Sequence, residues 1–226
     1  MALRWLTRTV AGGSASEAMR ALNARHPWSH NDHFHSWIMA NLPVHRQTAL
    51  DVGCGRGELL AVLAPVFEDV VGTDRDSQMR GQAASRCAGL PNVTINDKDL
   101  TQLAGPFDLV TMVAVLHHLT IDETLREVRR VLAPGGRFLV VGLAPPRGPR
   151  DHLWDLASTV TNPLIGYVKH PWPSHAGPHP PPFPVADPTL PFEEVRQHVD
   201  DVMPGAVMRH RLGFRHTIAW TMPPDK

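Results

Sequence analysis

The chain has 226 residues, with 22 Lys and Arg against 22 Asp and Glu. That size suits one large α/β domain, and the even charge lacks the electropositive footprint of a protein that binds tRNA, rRNA or DNA. Two cysteines make no disulfide framework and no apolar run reaches the ~18 residues of a membrane span, so a soluble protein in the cytoplasm, away from membranes, is expected.

Residues 1 to 25 are small and polar with weak periodicity. Arg4 and Arg8 interrupt the first apolar run, which argues for a loose or helical arm and against a secretory signal. The next stretch, WSHNDHFHSWIMANL at 28–42, reads as a helix. Ser29 and Asn31 are capping types, Phe34, Trp37, Ile38 and Leu42 recur at helical spacing, and Pro43 closes it. His30 and His33 neighbour each other on such a helix, and one or the other is expected to touch cofactor or substrate from above; His35 points elsewhere. The chain's 14 histidines form no HExxH and no zinc spacing with cysteine, so no metal is expected.

ALDVGCGRGELL, residues 49–60, is the most informative segment. A short apolar strand runs into Asp51 and then into Gly53, Gly55 and Gly57 on alternate positions. Glycine lets the main chain turn sharply and lets a ligand approach the backbone. A dinucleotide fingerprint would place its third glycine at position 58, which is Glu58, and no G-K-[ST] of a phosphate loop follows. Cys54 fits the need of this turn for small residues and is read as packing, not as a nucleophile.

Beyond the helix at 57–65, DVVGTDRD forms a second strand ending in Asp74, at the separation where a carboxylate can accept bonds from both hydroxyls of a ribose. A helix at 76–88 and a third strand at 93–96 lead to Asp97 and Asp99. The fourth strand, 107–113, ends in VLHHL. His117 and His118 stand where histidine, which titrates near neutrality, can act as a general base. Adjacent residues rarely face the same way, so one of the two is expected to meet substrate and the other to pack. The helix at 122–132 stops at Ala133-Pro134-Gly135-Gly136 and the fifth strand follows at 137–143. Arg126, Arg129 and Arg130 fall at helical spacing and read as a solvated face. Alternating strands and helices predict βαβ units in a parallel sheet, which binds ligands at the carboxyl ends of its strands.

Taken together, Asp51, Gly53, Gly55 and Gly57 with the acids at 74 and 97/99 resemble the motifs of class I S-adenosylmethionine-dependent methyltransferases. The resemblance covers residues 28 to 143 well and the last twenty loosely. It implies a Rossmann-like, mostly parallel seven-stranded sheet with helices on both faces and a C-terminal antiparallel hairpin. It also implies S-adenosylmethionine as cofactor, held by Asp51, Gly53, Cys54, Gly55, Gly57, Asp74, Arg75, Asp99, Leu100 and Val113. Asp74 would bind the ribose, Arg75 would stand beside the adenine, and Asp99, or else Asp97, would face the adenine amino group.

The segment 144–191 breaks the rhythm. An apolar helix candidate with Leu153, Trp154 and Leu156 precedes a stretch, 171–191, with nine prolines and two histidines, His175 and His179. Such a composition sustains neither helix nor central strand, and the segment reads as a substrate lid, with Trp172 and Phe183 as further pocket candidates. A helix at 192–203 and two strands around Gly213 end the chain. One domain over 1–226 is therefore expected, with an N-terminal helical cap (1–43), a cofactor-binding core (44–143), a lid-like insertion (144–191) and a C-terminal helix and hairpin (192–226).

The expected activity is methyl transfer to an O, N or C atom of a small, apolar or aromatic acceptor by a monomer or homodimer. The alternatives are a cyclisation or rearrangement on the same fold, and a cofactor-binding partner without catalysis.

Overall fold

In the computed structural model, residues 34–145, 188–212 and 215–224 are described. Seven strands form one sheet: β1 (Thr48–Val52), β2 (Asp69–Thr73), β3 (Val93–Asn96), β4 (Phe107–Val113), β5 (Leu132–Gly142), β6 (Val207–Arg211) and β7 (Arg215–Thr221). Their order is β3-β2-β1-β4-β5-β7-β6. The first five are mutually parallel, and β7 alone runs against them, since β6 is antiparallel to β7 in turn.

Strand order reverses at β1. The chain winds outward to β3 and then returns to β4, which opens a crevice above the carboxyl ends of β1 and β4.

Alternation along the central strands builds two cores. Leu50, Val110, Met112, Phe138, Val140, Ile218 and Trp220 face one side, where helices α4 (Ile121–Val131) and α5 (Phe192–Val202) cover them with Leu125, Val128, Val195 and Val199. Ala49, Leu109, Leu139 and Val141 face the other, under α1 (His35–Met39), α2 (Glu58–Leu63) and α3 (Ser77–Arg86). Parallel strands buried on both faces read as near-continuous apolar runs, which is how they were recognisable in the sequence. Each fully buried Leu or Val there contributes roughly 1.5–3 kcal/mol by leaving water.

The helices follow from local chemistry. Asp76 caps α3 by accepting from the backbone N–H of Gln78 (2.8 Å) and of Met79 (3.0 Å). In α4, Asp122 and Glu123 occupy the first turn and Arg129 and Arg130 the last, as the helix dipole favours.

Several expectations shift in detail. β5 begins at Leu132, ahead of the expected 137, because the residues after Leu132 bulge out of register and then continue beside β4 from Arg137. The backbone N–H of Gly135 and the carbonyl of Gly136 bond to Met222, which draws this helix-stop segment into the sheet. Arg126, Arg129 and Arg130 of α4 are all exposed, as expected of a solvated face. From that face Arg129 donates to the Val202 carbonyl, and Arg130 to Glu127 and the Leu100 and Leu103 carbonyls. Of the helix expected at 28–42, the described part is α1, anchored by buried Phe34 and Ile38. His30, His33, Leu153, Trp154, Leu156, Trp172, His175, His179 and Phe183 lie outside the described residues.

Among the described residues no helix is long and apolar enough to cross a membrane.

Candidate active site

The turn after β1 is left-handed at all three glycines, with φ of 70° at Gly53, 54° at Gly55 and 77° at Gly57. It is tied to β2, since the N–H groups of Gly53 and Cys54 both donate to the Thr73 carbonyl, at 2.7 and 2.9 Å. A Cβ on Gly53 would lie 2.3 Å from the Val115 side chain, so Val115 of the turn after β4 packs directly on the Gly53 backbone.

Gly57 does different work from its two neighbours. It does not line the cavity described below; it caps α2, and a Cβ there would come within 3.1 Å of Ala83 on α3. The expected cofactor role of Gly57 is therefore corrected to one of turn and helix packing. Gly57→Ala should cost about 1–2 kcal/mol from the left-handed backbone alone, with the Ala83 contact adding to it. An unchanged denaturation midpoint would show that the helices give way at no cost.

A cavity of about 1120 Å³ opens over the carboxyl edge of the sheet. This exceeds the ~300–1,000 Å³ of a usual ligand pocket, which leaves room for a cofactor and an acceptor together. Of the residues expected to hold cofactor, Asp51, Gly53, Cys54, Gly55, Asp74, Arg75, Asp99, Leu100 and Val113 all line it.

Asp74 is held from two sides. Its Oδ2 accepts from the Gly55 N–H and its Oδ1 from the Asp76 N–H, both at 2.9 Å, and Arg80 Nη1 braces the local backbone through the Asp74 and Arg75 carbonyls. A carboxylate oxygen has two acceptor sites, so each can take one further hydroxyl. At the neighbouring strand end, Arg75 donates to Asp99 Oδ1 through Nε (3.0 Å) and Nη2 (2.9 Å). Asp97 turns toward Arg80 and does not line the cavity, so of the two candidates Asp99 is the one that reaches it.

Asp51 sits under the turn, 2% exposed, and accepts from Thr111 Oγ1 at 2.7 Å. Burial pushes its carboxyl up to about 7; the Thr111 bond opposes that shift, and the nearby Asp74 and Glu58 add to it. A cation above Asp51 would relieve this strain, whereas the pyrophosphate of a dinucleotide would worsen it. The donor set therefore fits a positively charged sulfonium cofactor. Burial drives the Cys54 thiol well above its usual range, and Asp51 and Asp74 drive it further, so it is no thiolate nucleophile.

Beyond β4 the chain enters a 3-10 turn, Leu116–His118, through Ala114, a non-glycine residue at φ 58°. Backbone strain of this kind costs of order 1–3 kcal/mol and clusters at functional sites. In the tight turn both His117 and His118 line the cavity, with ring centroids 3.9 Å apart. One of the two was expected to meet substrate and the other to pack; in the 3-10 turn both reach the cavity wall. His117 is half-buried and His118 exposed.

Several further residues reach the cavity without having been singled out as site residues, His35 and Arg215 among them. His35, on α1, lines it, although helical spacing suggested that it pointed elsewhere. Arg215, the first residue of β7, lines it too. The signal for His35 was its place on a helix expected to lie over the site; for Arg215 no local motif exists. Among the described residues, no group of three or more His, Cys, Asp or Glu is placed to hold a metal ion.

The β3-β2-β1-β4-β5-β7-β6 order, with its acid-x-G-x-G-x-G turn and reversed β7, is the architecture of a class I methyltransferase. A family profile described as a methyltransferase domain matches residues 50–138. A protein of Mycobacterium tuberculosis described as an uncharacterized methyltransferase is 35% identical over 204 residues, covering 87% of this chain and 98% of the relative. The chain belongs to the class I S-adenosylmethionine-dependent methyltransferases, and its cofactor is S-adenosylmethionine.

Among solved structures, an S-adenosylmethionine-dependent methyltransferase from Aquifex aeolicus superposes with a TM-score of 0.55 at 17% identity, over 91% of this chain and 97% of that one. The [4+2]-cyclase SpnF superposes at 0.59 with 14% identity, over 86% and 82%. These two likenesses concern the fold.

Proposed function

We propose that the protein transfers the methyl group to a small acceptor with an apolar or aromatic body, and that His117 is the general base. The observation that carries this reading is one continuous cavity with acids at one end, over β1 to β3, and the paired histidines at the other, beyond β4.

When bound, the cofactor supplies a methyl group on a positively charged sulfur. Asp74 binds the ribose diol with the acceptor sites that the Gly55 and Asp76 amides leave over. Asp99 and Arg75 flank the adenine, with Leu100 packing against it. Gly53 and Gly55 let the backbone approach, and Asp51 places negative charge beneath the cationic end. Val113 and Val115 add apolar wall to the cavity. Positioning the two reactants can be worth roughly 7–11 kcal/mol, so holding them is the main task of these residues.

A base is needed only where the acceptor's nucleophilic atom carries a proton. His117 is suited to that step because the 3-10 turn fixes it half out of water at the cavity wall, and His118 stacks beside it.

The test begins with calorimetry. S-adenosylmethionine and S-adenosylhomocysteine should both bind, and NAD and ATP should not; the reverse pattern would defeat the reading. Asp74→Ala should weaken cofactor binding by about 1.5–3 kcal/mol, the scale of a hydrogen bond to a charged group. An unchanged dissociation constant would move the ribose contact elsewhere. With an acceptor in hand, S-adenosylhomocysteine must accumulate with turnover. Conversion of the acceptor without it would favour a cyclisation or rearrangement.

A further inference from the structure

β7 brings Arg215 to the end of the cavity farthest from the cofactor turn. Because β7 runs against its neighbours, its first residues stand level with the last residues of β5: His216 pairs in register with Gly142, and Arg215 lines the cavity together with Leu143, His117 and His118. Arg215 is half-buried. Burial pulls it down to about 10, which still leaves it charged at neutral pH.

The neighbourhood reinforces this charge. His216 lies next along the strand, 3% exposed, with its ring packed so closely on Gly142 that a Cβ there would lie 2.3 Å from Nε2. Burial first, and then His210, Arg215 and His117, hold its imidazole down to about 3. Among the described residues every charged group acting on His216 is therefore a base. Arg211 pairs with Arg215 across the hairpin and adds another. Asp51, Asp74 and Asp99 gather at the cofactor end together with Arg56, Arg75 and Lys98, and Glu123 and Glu127 of α4 line the cavity too.

We propose that Arg215 anchors an acceptor that carries an anionic group, a carboxylate or a phosphate, at one end of its apolar or aromatic body. This rests on the reading of the cavity as a methyltransferase site. A planar guanidinium matches two oxygens of such a group at once, and it does so best where water is excluded. The anion would lie at the β5–β7 corner, and the rest of the acceptor would extend toward His117 and the cofactor. Arg215 then selects the acceptor and sets its orientation, while the cofactor end is left untouched.

The experiment uses the full chain, with and without saturating S-adenosylhomocysteine, and three matched probes: benzoate, phenyl phosphate and neutral benzamide. Calorimetry or ligand-observed NMR should show at least one anion binding tenfold or more tighter than benzamide. Which anion is preferred separates a carboxylate acceptor from a phosphate one. Arg215→Gln should abolish the preference, Arg215→Lys should retain part of it, and S-adenosylhomocysteine affinity should be the same in all three proteins. Equal or absent binding of the three probes to the unaltered protein overturns the proposal without any variant. So does a preference that survives Arg215→Gln. Failure of S-adenosylhomocysteine to bind would instead remove the proposed function, and the probe preference measured without it still decides the role of Arg215.

Discussion

His117→Ala should lower turnover by about 10² to 10⁴, the usual contribution of a positioned general base, while the dissociation constant for S-adenosylmethionine stays within twofold, by the same argument that a base acts only on the acceptor. The rising limb of the pH–rate profile should disappear with the imidazole. His118→Ala should act more mildly. Its ring is exposed and touches the same cavity, so its loss removes a neighbour of His117 and not the base itself. Steady-state rates for both variants over pH 5.5 to 8.5 check this. Full activity in both across that range would mean that positioning alone carries catalysis, and would point to an acceptor already ionised in solution or to an amine.

Asp51→Asn should stabilise the cofactor-free protein at pH 8 relative to the parent, and should do little at pH 4. The carboxyl of Asp51 ordinarily titrates at 3.8 and in the fold at about 7. Between those values the folded state holds a proton that the unfolded chain has released. Stability contributed by this group is therefore present at low pH and is lost as pH rises through about 7. At 1.36 kcal/mol per unit, a shift of this size amounts to about 4 kcal/mol.

Asn keeps the oxygen that accepts from Thr111 and removes the buried charge. The same substitution should weaken binding of the cationic cofactor, so stability and affinity should move in opposite directions. Urea denaturation at pH 4 and 8, with calorimetry at pH 8, tests both. A stability difference that is the same at the two pH values would show that Asp51 is not the titrating group.

β1, β2 and β3 were legible because each is an apolar run stopped by Gly or Asp, and β4 because it is a long apolar run; all four fall where that pattern places them. β5 was misjudged at its start, since Ala133-Pro134-Gly135-Gly136 has the composition of a helix stop while its backbone bonds to Met222, which lies far along the chain. The cofactor end was legible for a related reason. Asp51, Gly53, Gly55, Asp74 and Asp99 lie within one βαβαβ stretch, where spacing along the chain stands for spacing in the fold.

The acceptor end was not legible in this way. Arg215 acquires its place only through the pairing of β7 with β5, and His35 through the packing of Phe34 and Ile38 beneath the sheet. The two histidines were legible as candidate bases, but that both reach the cavity wall follows from a 3-10 turn with no signal in the sequence.

The late arrival of β7 bears on how the molecule is made. A chain emerges from the ribosome in the order of synthesis, whereas a domain folds as a unit. Everything that Asp74 and the glycine turn require is present once β4 has emerged. β5, however, waits for β7 to cover its free edge and for α5 to cover Phe138 and Val140. A nascent chain therefore carries every residue of the cofactor half before the acceptor half exists. Until β7 arrives the unpaired edge of β5 is its most vulnerable surface, and a ligand that binds only the folded protein stabilises it once the whole domain has closed.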